Sequence, residues 1–161
     1  MGDDKFGSYV ETLQATPDEL SSLLRGLSEE QLRFKPAEDT LSLKENVLHL
    51  RDLEIEGYGK RLRLILAENL PTLEDIDGTR LARLRRYQSA NATQALEQFC
   101  LAREGNIAYL RNMTAFQWNR KAIFKGDEIT LLQMVEKWVA HDLQHLKEIE
   151  ELLGKISAPA A

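Results

Sequence analysis

The chain has 161 residues, of which 43% are apolar and 29% are charged, and its formal net charge is −5. This length fits one domain that buries a core without disulfides, and the acidic balance argues against a protein that holds nucleic acid on a basic face. The single cysteine, Cys100, excludes an intramolecular disulfide and fits a reducing cytoplasm. We find no signal peptide and no run of about 18 apolar residues, so we expect a cytoplasmic protein without a membrane-spanning helix.

The first predicted helix runs from about Phe6 to Gly26, with its leucines at helical spacing. Pro17 is expected to kink this helix or to restart it, because proline removes a backbone donor from the helix interior. Ser28 and Gln31 then form a capping box, which opens a short helical turn that stops before Pro36.

Three further long helices are predicted by apolar residues at helical spacing: Ser42–Asn69, Ser89–Met113 and Thr130–Gly154. The intervening segments Pro71–Gly78 and Phe116–Ile129 are expected to be loops, the second with a turn at Gly126-Asp127. Four long helices joined by such loops favour an all-α four-helix bundle. We therefore expect one domain over residues 1–156, followed by a flexible tail at 157–161.

The three histidines of the chain all fall on predicted bundle helices. His141 and His145 are four residues apart and project from one face of the fourth helix, while His49 lies in the middle of the second. Three neutral imidazole nitrogens with one open position are the arrangement of a catalytic metal site. On spacing alone, metal ligands and ordinary core histidines both remain open.

Asp142 falls among the leucines of the fourth helix, between the two histidines. A buried carboxylate without a partner is costly, so we expect Asp142 to be hydrogen-bonded or charge-paired. One candidate partner is the outer nitrogen of a liganding histidine. The segment is also similar to the H-E-x-x-H motif of zinc peptidases, with aspartate in place of glutamate. The shorter side chain would hold the base away from a metal-bound water, which disfavours a peptidase.

An ordered set of residues along the chain resembles the DinB-like (DinB/YfiT) family of metal-binding four-helix bundles. The resemblance covers almost the whole chain and includes a proline and a capped helix start before the first histidine. Leu41 is a departure, because many relatives carry tryptophan there. The residues that carry the resemblance, in chain order, are Lys35–Glu54 with His49-Leu50-x-Asp52-x-Glu54 at its end, Phe99, Arg103, Gly126, Ile129–Leu131 and His141-Asp142-x-x-His145-Leu146.

The resemblance implies a metal site formed by His49, His141 and His145, with Zn²⁺ expected first and Ni²⁺ or Fe²⁺ as alternatives. It also implies a homodimer, and catalytic members that use low-molecular-weight thiols such as bacillithiol or mycothiol. We therefore predict a metal-dependent enzyme that acts on a small molecule, first a thiol-dependent S-transferase and second a hydrolase. The alternative is a non-catalytic metal-binding stress module. We expect no nucleic-acid or membrane partner.

Two acidic residues lie within one turn of the first histidine on its helix. Glu45 and Asp52 could hydrogen-bond a ligand or a metal-bound water, but we favour a capping role for Glu45 and a solvated Asp52. The substrate pocket is expected between helix ends and the Phe116–Ile129 segment.

Several other residues have structural as well as functional interpretations. Trp138 and Cys100 are expected in the core, and the basic run Arg80–Arg86 is expected to be a solvated surface. Arg103 could bind an anionic substrate or pair with a carboxylate. Gly57 and Gly59 could permit a close helix contact or leave room above the metal.

Overall fold

Four long helical segments pack together, as the apolar spacing predicts. The computed structural model describes residues 2–157. The long segments are α1 (Gly2–Leu24), α3 (Leu43–Asp52) with its continuation α4 (Gly59–Ala67), α6 (Ala92–Arg111) and α8 (Leu131–Ser157). Three short helices, α2 (Glu29–Arg33), α5 (Gly78–Leu84) and α7 (Ala115–Trp118), lie in the connections. Both α1 and α3 pack against α6 and α8, so the predicted four-helix bundle is confirmed.

The last helix is longer than the sequence indicates. The fourth helix was expected to end at Gly154, but α8 continues through Gly154 to Ser157, so that prediction is wrong. The rest of the predicted tail, 158–161, lies outside the described residues. Within residues 2–157, no helix is both long enough and apolar enough to cross a membrane.

Pro17 does not break the first helix. Residues Gly2–Leu24 form one helix with Pro17 inside it, contrary to the predicted restart. Proline has no N–H to donate to the carbonyl four residues earlier, which here belongs to Leu13. That carbonyl accepts a hydrogen bond from the side chain of Arg103 on α6 instead, so the helix continues without leaving a buried acceptor unpaired.

The helix starts follow the capping chemistry of the sequence. The predicted capping boxes Ser28–Gln31 and Ser42–Glu45 are both present, with each side chain bonding the other residue's backbone N–H. Before α8, Thr130 Oγ1 accepts from the Gln133 N–H, and Gln133 Oε1 accepts from the Thr130 N–H. These caps satisfy N–H groups that have no partner within their own helix.

A π-helical turn, Leu53–Tyr58, joins α3 to α4. The Gly59 N–H donates to the Glu54 carbonyl, five residues earlier. A Cβ on Gly59 would lie 2.4 Å from that oxygen and 2.9 Å from the Asn106 amide nitrogen. Of the two interpretations of Gly59, the structure therefore supports the close contact.

The predicted loops contain a small three-stranded sheet and further helices. Strand β1 (Thr72–Leu73) pairs parallel with β2 (Lys121–Phe124), which pairs antiparallel with β3 (Asp127–Thr130). The prediction of an irregular Phe116–Ile129 segment is therefore wrong. Its turn lies at Lys125-Gly126, whose φ angles of +52° and +82° are typical of a two-residue hairpin turn. Strands this short show too little alternation to be recognised in sequence.

Two apolar clusters fill the bundle. Along each long helical segment, a buried polar residue separates the residues of one cluster from those of the other, and together these polar residues form a buried polar layer. On α8, Trp138 belongs to the first cluster and Leu146 to the second, with Asp142 between them. On α6, Ile107 and Phe99 flank Arg103 in the same way. The buried members of this layer are Thr16, Glu54, Arg103, Asn106 and Asp142.

Candidate metal centre

The three histidines converge beside this polar layer. His49 comes from α3, and one turn of α8 supplies His141 and His145. The Nε2 atoms of His49 and His141 lie 3.0 Å apart, and one nitrogen from each of the three rings lies within 4.8 Å of the others. The arrangement can place three imidazole nitrogens around one ion.

Burial keeps these imidazoles neutral. Removal from solvent, together with the neighbouring His145, lowers the pKa of His49 to about 4. Burial likewise lowers the pKa of His145 to about 4, and that of His141 to about 2. At neutral pH the nitrogen lone pairs are therefore available for a metal, which binds only the unprotonated ring.

His145 has a buried hydrogen-bond partner that the sequence analysis missed. Its Nδ1 lies 2.8 Å from Oδ1 of Asn46, a fully buried residue of α3. Asn46 precedes His49 by three residues, so both share one helix face. A polar residue three positions before His49, on the same face of the helix, could have indicated this role.

His49 is held by packing. A Cβ on Gly78, the first residue of α5, would lie 2.5 Å from the ring atom Cε1 and 2.7 Å from Nδ1. The Nδ1 atom is buried, and no residue in the described range 2–157 hydrogen-bonds it. The start of α5 therefore covers the outer edge of the His49 ring.

Asp142 is buried and charge-paired as expected, but its partner is not a histidine. Arg103 donates to both carboxylate oxygens of Asp142, at 2.7 and 3.0 Å, and Thr16 donates at 2.7 Å. The proposed bond to a liganding histidine is therefore wrong. Both oxygens of Asp142 bind Arg103, whereas the corresponding glutamate of a zinc peptidase acts as a general base.

Arg103 pairs with carboxylates, which decides between its two interpretations. Besides Asp142 it binds both oxygens of Glu54, at 2.7 and 2.8 Å. Glu54 also accepts from the Asn106 amide and from Trp138 Nε1. Two buried carboxylates thus share one guanidinium, and no free donor of Arg103 remains for a substrate.

The two acidic residues near His49 have different surroundings. Glu45 completes the capping box, as favoured, and lies 3.3 Å from the Lys35 ammonium. Asp52 was expected to be solvated, but it is buried and accepts from Tyr87 Oη, with Arg85 at 2.9 Å. Asp52 therefore joins the turn after α5 to α3 and does not bond a histidine.

A cavity of about 830 Å³ opens beside His49 and His145. Its walls come from the 35–41 connection, α5 and the second half of α8, and Glu45 and Glu148 also line it. The predicted contribution of the Phe116–Ile129 segment is wrong, because that segment packs at the other end of the bundle, in the first apolar cluster.

The remaining predictions concern core and surface residues. Trp138 is fully buried, as expected, and stacks on Tyr58 with ring centroids 5.2 Å apart. Cys100 is only partly buried. No residue of α5 is buried, in agreement with a solvated surface for most of the basic run, although Arg85 forms ion pairs with Glu56 and Asp52.

The chain belongs to the DinB superfamily, whose sequence model matches residues 12–149. It is 24% identical over 148 residues to a protein of Halalkalibacterium halodurans whose name proposes a metal-dependent hydrolase, and the match covers 90% of this chain and 84% of that protein.

Two solved structures from Bacillus subtilis share the fold. YfiT, described as a probable metal-dependent hydrolase with an unusual four-helix bundle topology, superposes with a TM-score of 0.87 at 22% identity, covering 96% of this chain and 89% of YfiT. The DinB-like protein YjoA gives a TM-score of 0.62 at 16% identity, covering 95% of this chain and 94% of YjoA. These similarities confirm the DinB-like bundle, and the histidine cluster is compatible with a divalent metal. The thiol partner and the homodimer stay predictions.

Proposed function

We propose that His49, His141 and His145 bind one divalent metal ion, and that the protein is a metal-dependent enzyme acting on a small molecule. The observation that carries the proposal is the convergence of three neutral imidazoles beside an open cavity. Two nitrogens on a tetrahedral Zn²⁺ are about 3.3 Å apart. The 3.0 Å separation of the His49 and His141 Nε2 atoms is close to that value. The His145 ring has a nitrogen within 4.8 Å of both other rings' ligand nitrogens, so a small movement of this ring would let all three reach one ion.

The donor set guides the choice of metal. Imidazole nitrogens suit Zn²⁺, Ni²⁺ and Fe²⁺, whereas they do not favour Mg²⁺ or Ca²⁺, which prefer oxygen. We propose Zn²⁺ first, with Ni²⁺ and Fe²⁺ as the alternatives.

The cavity beside His49 and His145 would give an ion held there access to a nucleophile and a substrate. When bound, a divalent ion with an open position lowers the pKa of water or of a thiol, and so supplies a nucleophile near neutral pH. In the same cavity, Oε1 of Glu45 is engaged by the Ser42 N–H and by Lys35. No residue of the described chain hydrogen-bonds Oε2, so Glu45 can accept a proton in the cavity.

Two reaction classes use this arrangement. Hydrolysis is favoured by the names of the relatives and by Glu45 as a proton acceptor. Thiol-dependent S-transfer is the second class, and it is supported by a cavity of about 830 Å³, which has room for a thiol together with its acceptor.

Metal analysis of protein purified without a histidine tag tests the metal site. After reconstitution and desalting, we expect about one equivalent of Zn²⁺ in the wild-type protein and a large loss in His145→Ala. Gln144→Ala is the matched control, because Gln144 is the exposed neighbour of His145 on α8. Less than about a tenth of an equivalent in the wild-type protein would rule out the metal site.

Activity is tested on the metal-loaded protein with two panels of substrates. One panel contains activated esters and amides, and the other contains low-molecular-weight thiols with electrophilic acceptors. Turnover in one panel that is lost in His49→Ala assigns the reaction class. Equal rates for the wild-type and variant proteins in both panels would favour the non-catalytic metal-binding stress module.

A further inference from the structure

Asn46 forms a fully buried hydrogen bond with one histidine of the cluster, His145. Within residues 2–157, no other side chain forms a fully buried hydrogen bond with any of the three histidines. The Asn46 Oδ1 lies 2.8 Å from His145 Nδ1, and its Nδ2 donates to the Ser42 carbonyl at 3.0 Å. The reversed amide would bring Oδ1 against the Ser42 carbonyl, so that two acceptors would face one another. The Ser42 carbonyl therefore fixes the orientation of the Asn46 amide.

The amide orientation determines where the proton of His145 lies. An amide oxygen can only accept a hydrogen bond, so Nδ1 of His145 must donate and must carry the ring proton. In the neutral ring the other nitrogen, Nε2, then has a free lone pair. We propose that Asn46 is a positioning residue that holds His145 in this tautomer and so prepares Nε2 for the metal. This inference rests on the proposed metal site.

A second acceptor lies near the same nitrogen. Glu148 Oε2 is 3.3 Å from His145 Nδ1, but the Glu148 side chain is 39% exposed. The contact is longer than that of Asn46 and is screened by solvent, so it contributes little to the orientation. Asn46 is the buried partner, and Asn46 rather than Glu148 sets the tautomer.

The neutrality of Asn46 has a consequence for the ion. A carboxylate bonded to the outer nitrogen makes an imidazole a more basic and stronger ligand. An amide orients the ring without adding a negative charge, so an ion held by His145 would keep more of its ability to acidify a nucleophile.

The tautomer can be measured without metal, by ¹⁵N NMR of the histidine rings in the metal-free protein near pH 7.5. We expect the wild-type His145 to show a protonated Nδ1 and an unprotonated Nε2, and Glu148→Ala to show the same. Asn46→Leu is expected to give a mixture of tautomers or the Nε2-protonated form. A wild-type His145 with its proton on Nε2 would overturn the proposal, whether or not the variants fold.

Zn²⁺ affinity, measured by competition with a chromophoric chelator, gives the second readout. We expect about 10- to 100-fold weaker binding in Asn46→Leu, and a change below about fivefold in Glu148→Ala. Asn91→Ala is the control for general destabilisation, since it removes the N-cap of another long helix, α6, where the Asn91 side chain accepts from the Gln94 N–H.

The outcomes separate this inference from the proposed function. Absence of Zn²⁺ binding by the wild-type protein contradicts the metal site, while the NMR measurement still decides the role of Asn46. If the wild-type protein binds Zn²⁺ and Asn46→Leu binds it equally well, the metal site stands and Asn46 is not its positioning residue. Equal weakening in Asn91→Ala and Asn46→Leu would also overturn the inference.

Discussion

Arg103 donates a hydrogen bond from Nη1 to the Leu13 carbonyl at 2.7 Å, and this is the carbonyl that Pro17 leaves without a helical donor. The same guanidinium binds Glu54 and Asp142. One side chain of α6 therefore joins α1, the π-helical turn and α8 at the level of the polar layer. Because Asp142 directly follows His141, this network also holds the part of α8 that carries two histidines.

Removal of Arg103 is expected to destabilise the protein strongly. In Arg103→Met, Glu54 and Asp142 would be left as buried carboxylates without a cation, and breaking such a pair costs about 3–5 kcal/mol. Urea unfolding followed by circular dichroism measures the change. Arg111→Met, an exposed arginine at the end of the same helix, should change the free energy of unfolding by less than about 1 kcal/mol.

A neutral version of the same layer separates charge from packing. The triple variant Arg103→Met, Glu54→Gln, Asp142→Asn contains no buried charge in the layer, so it should recover part of the stability lost in Arg103→Met. A triple variant less stable than Arg103→Met would contradict an electrostatic origin of the loss.

Gly78 is expected to be required for the position of His49. In Gly78→Ala the new methyl group would meet ring atoms at 2.5 and 2.7 Å, so the ring or the start of α5 must move. We expect Zn²⁺ binding to weaken about tenfold or more, because loss of the contacts that orient a metal ligand typically lowers metal affinity by this amount. Stability should change little, because no residue of α5 is buried.

Gly105→Ala is the matched control for this substitution. A Cβ on Gly105 would meet no atom within 4 Å, so Zn²⁺ affinity should remain at the wild-type value. Equal Zn²⁺ affinity in both variants would show that the Gly78 contact with His49 does not matter.

Much of the bundle could be predicted from sequence because its signals are local. The capping boxes and the apolar spacing need only residues within a turn or two, and the i, i+4 spacing of His141 and His145 follows from helix geometry. The convergence of His49 required the ordered resemblance to a family, since nothing local places α3 beside α8.

Several wrong predictions share one physical cause. In each case the hydrogen-bond partner of a buried polar group lies far away in the sequence. Asp142 could be recognised as buried, but its partner Arg103 lies 39 residues away on α6, and the helical pattern does not tell which helices are adjacent. Asp52 was misjudged for the same reason, because its partner Tyr87 is 35 residues away. The continuity of α1 through Pro17 likewise depends on a donor from another helix.

The metal-free protein is expected to lose stability in mild acid. The pKa values of the three histidines are lowered by burial from 6.5, to about 4 for His49 and His145. Between pH 6.5 and 4 the unfolded chain therefore binds more protons than the folded protein, so stability falls as the pH falls. Each histidine contributes up to about 2 kcal/mol between pH 6.5 and pH 5.

Urea unfolding of the metal-free protein at pH 7 and pH 5 measures this loss. His145→Gln removes one titrating group, so its stability should fall less over the same interval, by up to about 2 kcal/mol. The difference between the two proteins isolates the histidine from the carboxylates that also titrate. Identical losses would mean that His145 is not held in its neutral form by the fold.

Gly59 tests whether the π-helical turn is required for stability. In Gly59→Ala the Cβ would lie 2.4 Å from the Glu54 backbone oxygen, which cannot move without opening the turn that presents Glu54 to Arg103. We expect a loss of about 1–3 kcal/mol in urea unfolding, as for other overpacked sites.

Gly105→Ala places the same methyl group in open space on α6, where alanine should stabilise a helix by up to about 1 kcal/mol. Opposite signs at the two helical glycines would identify the close contact at Gly59 as the cause, whereas a gain in stability at both positions would show that the turn relaxes without loss.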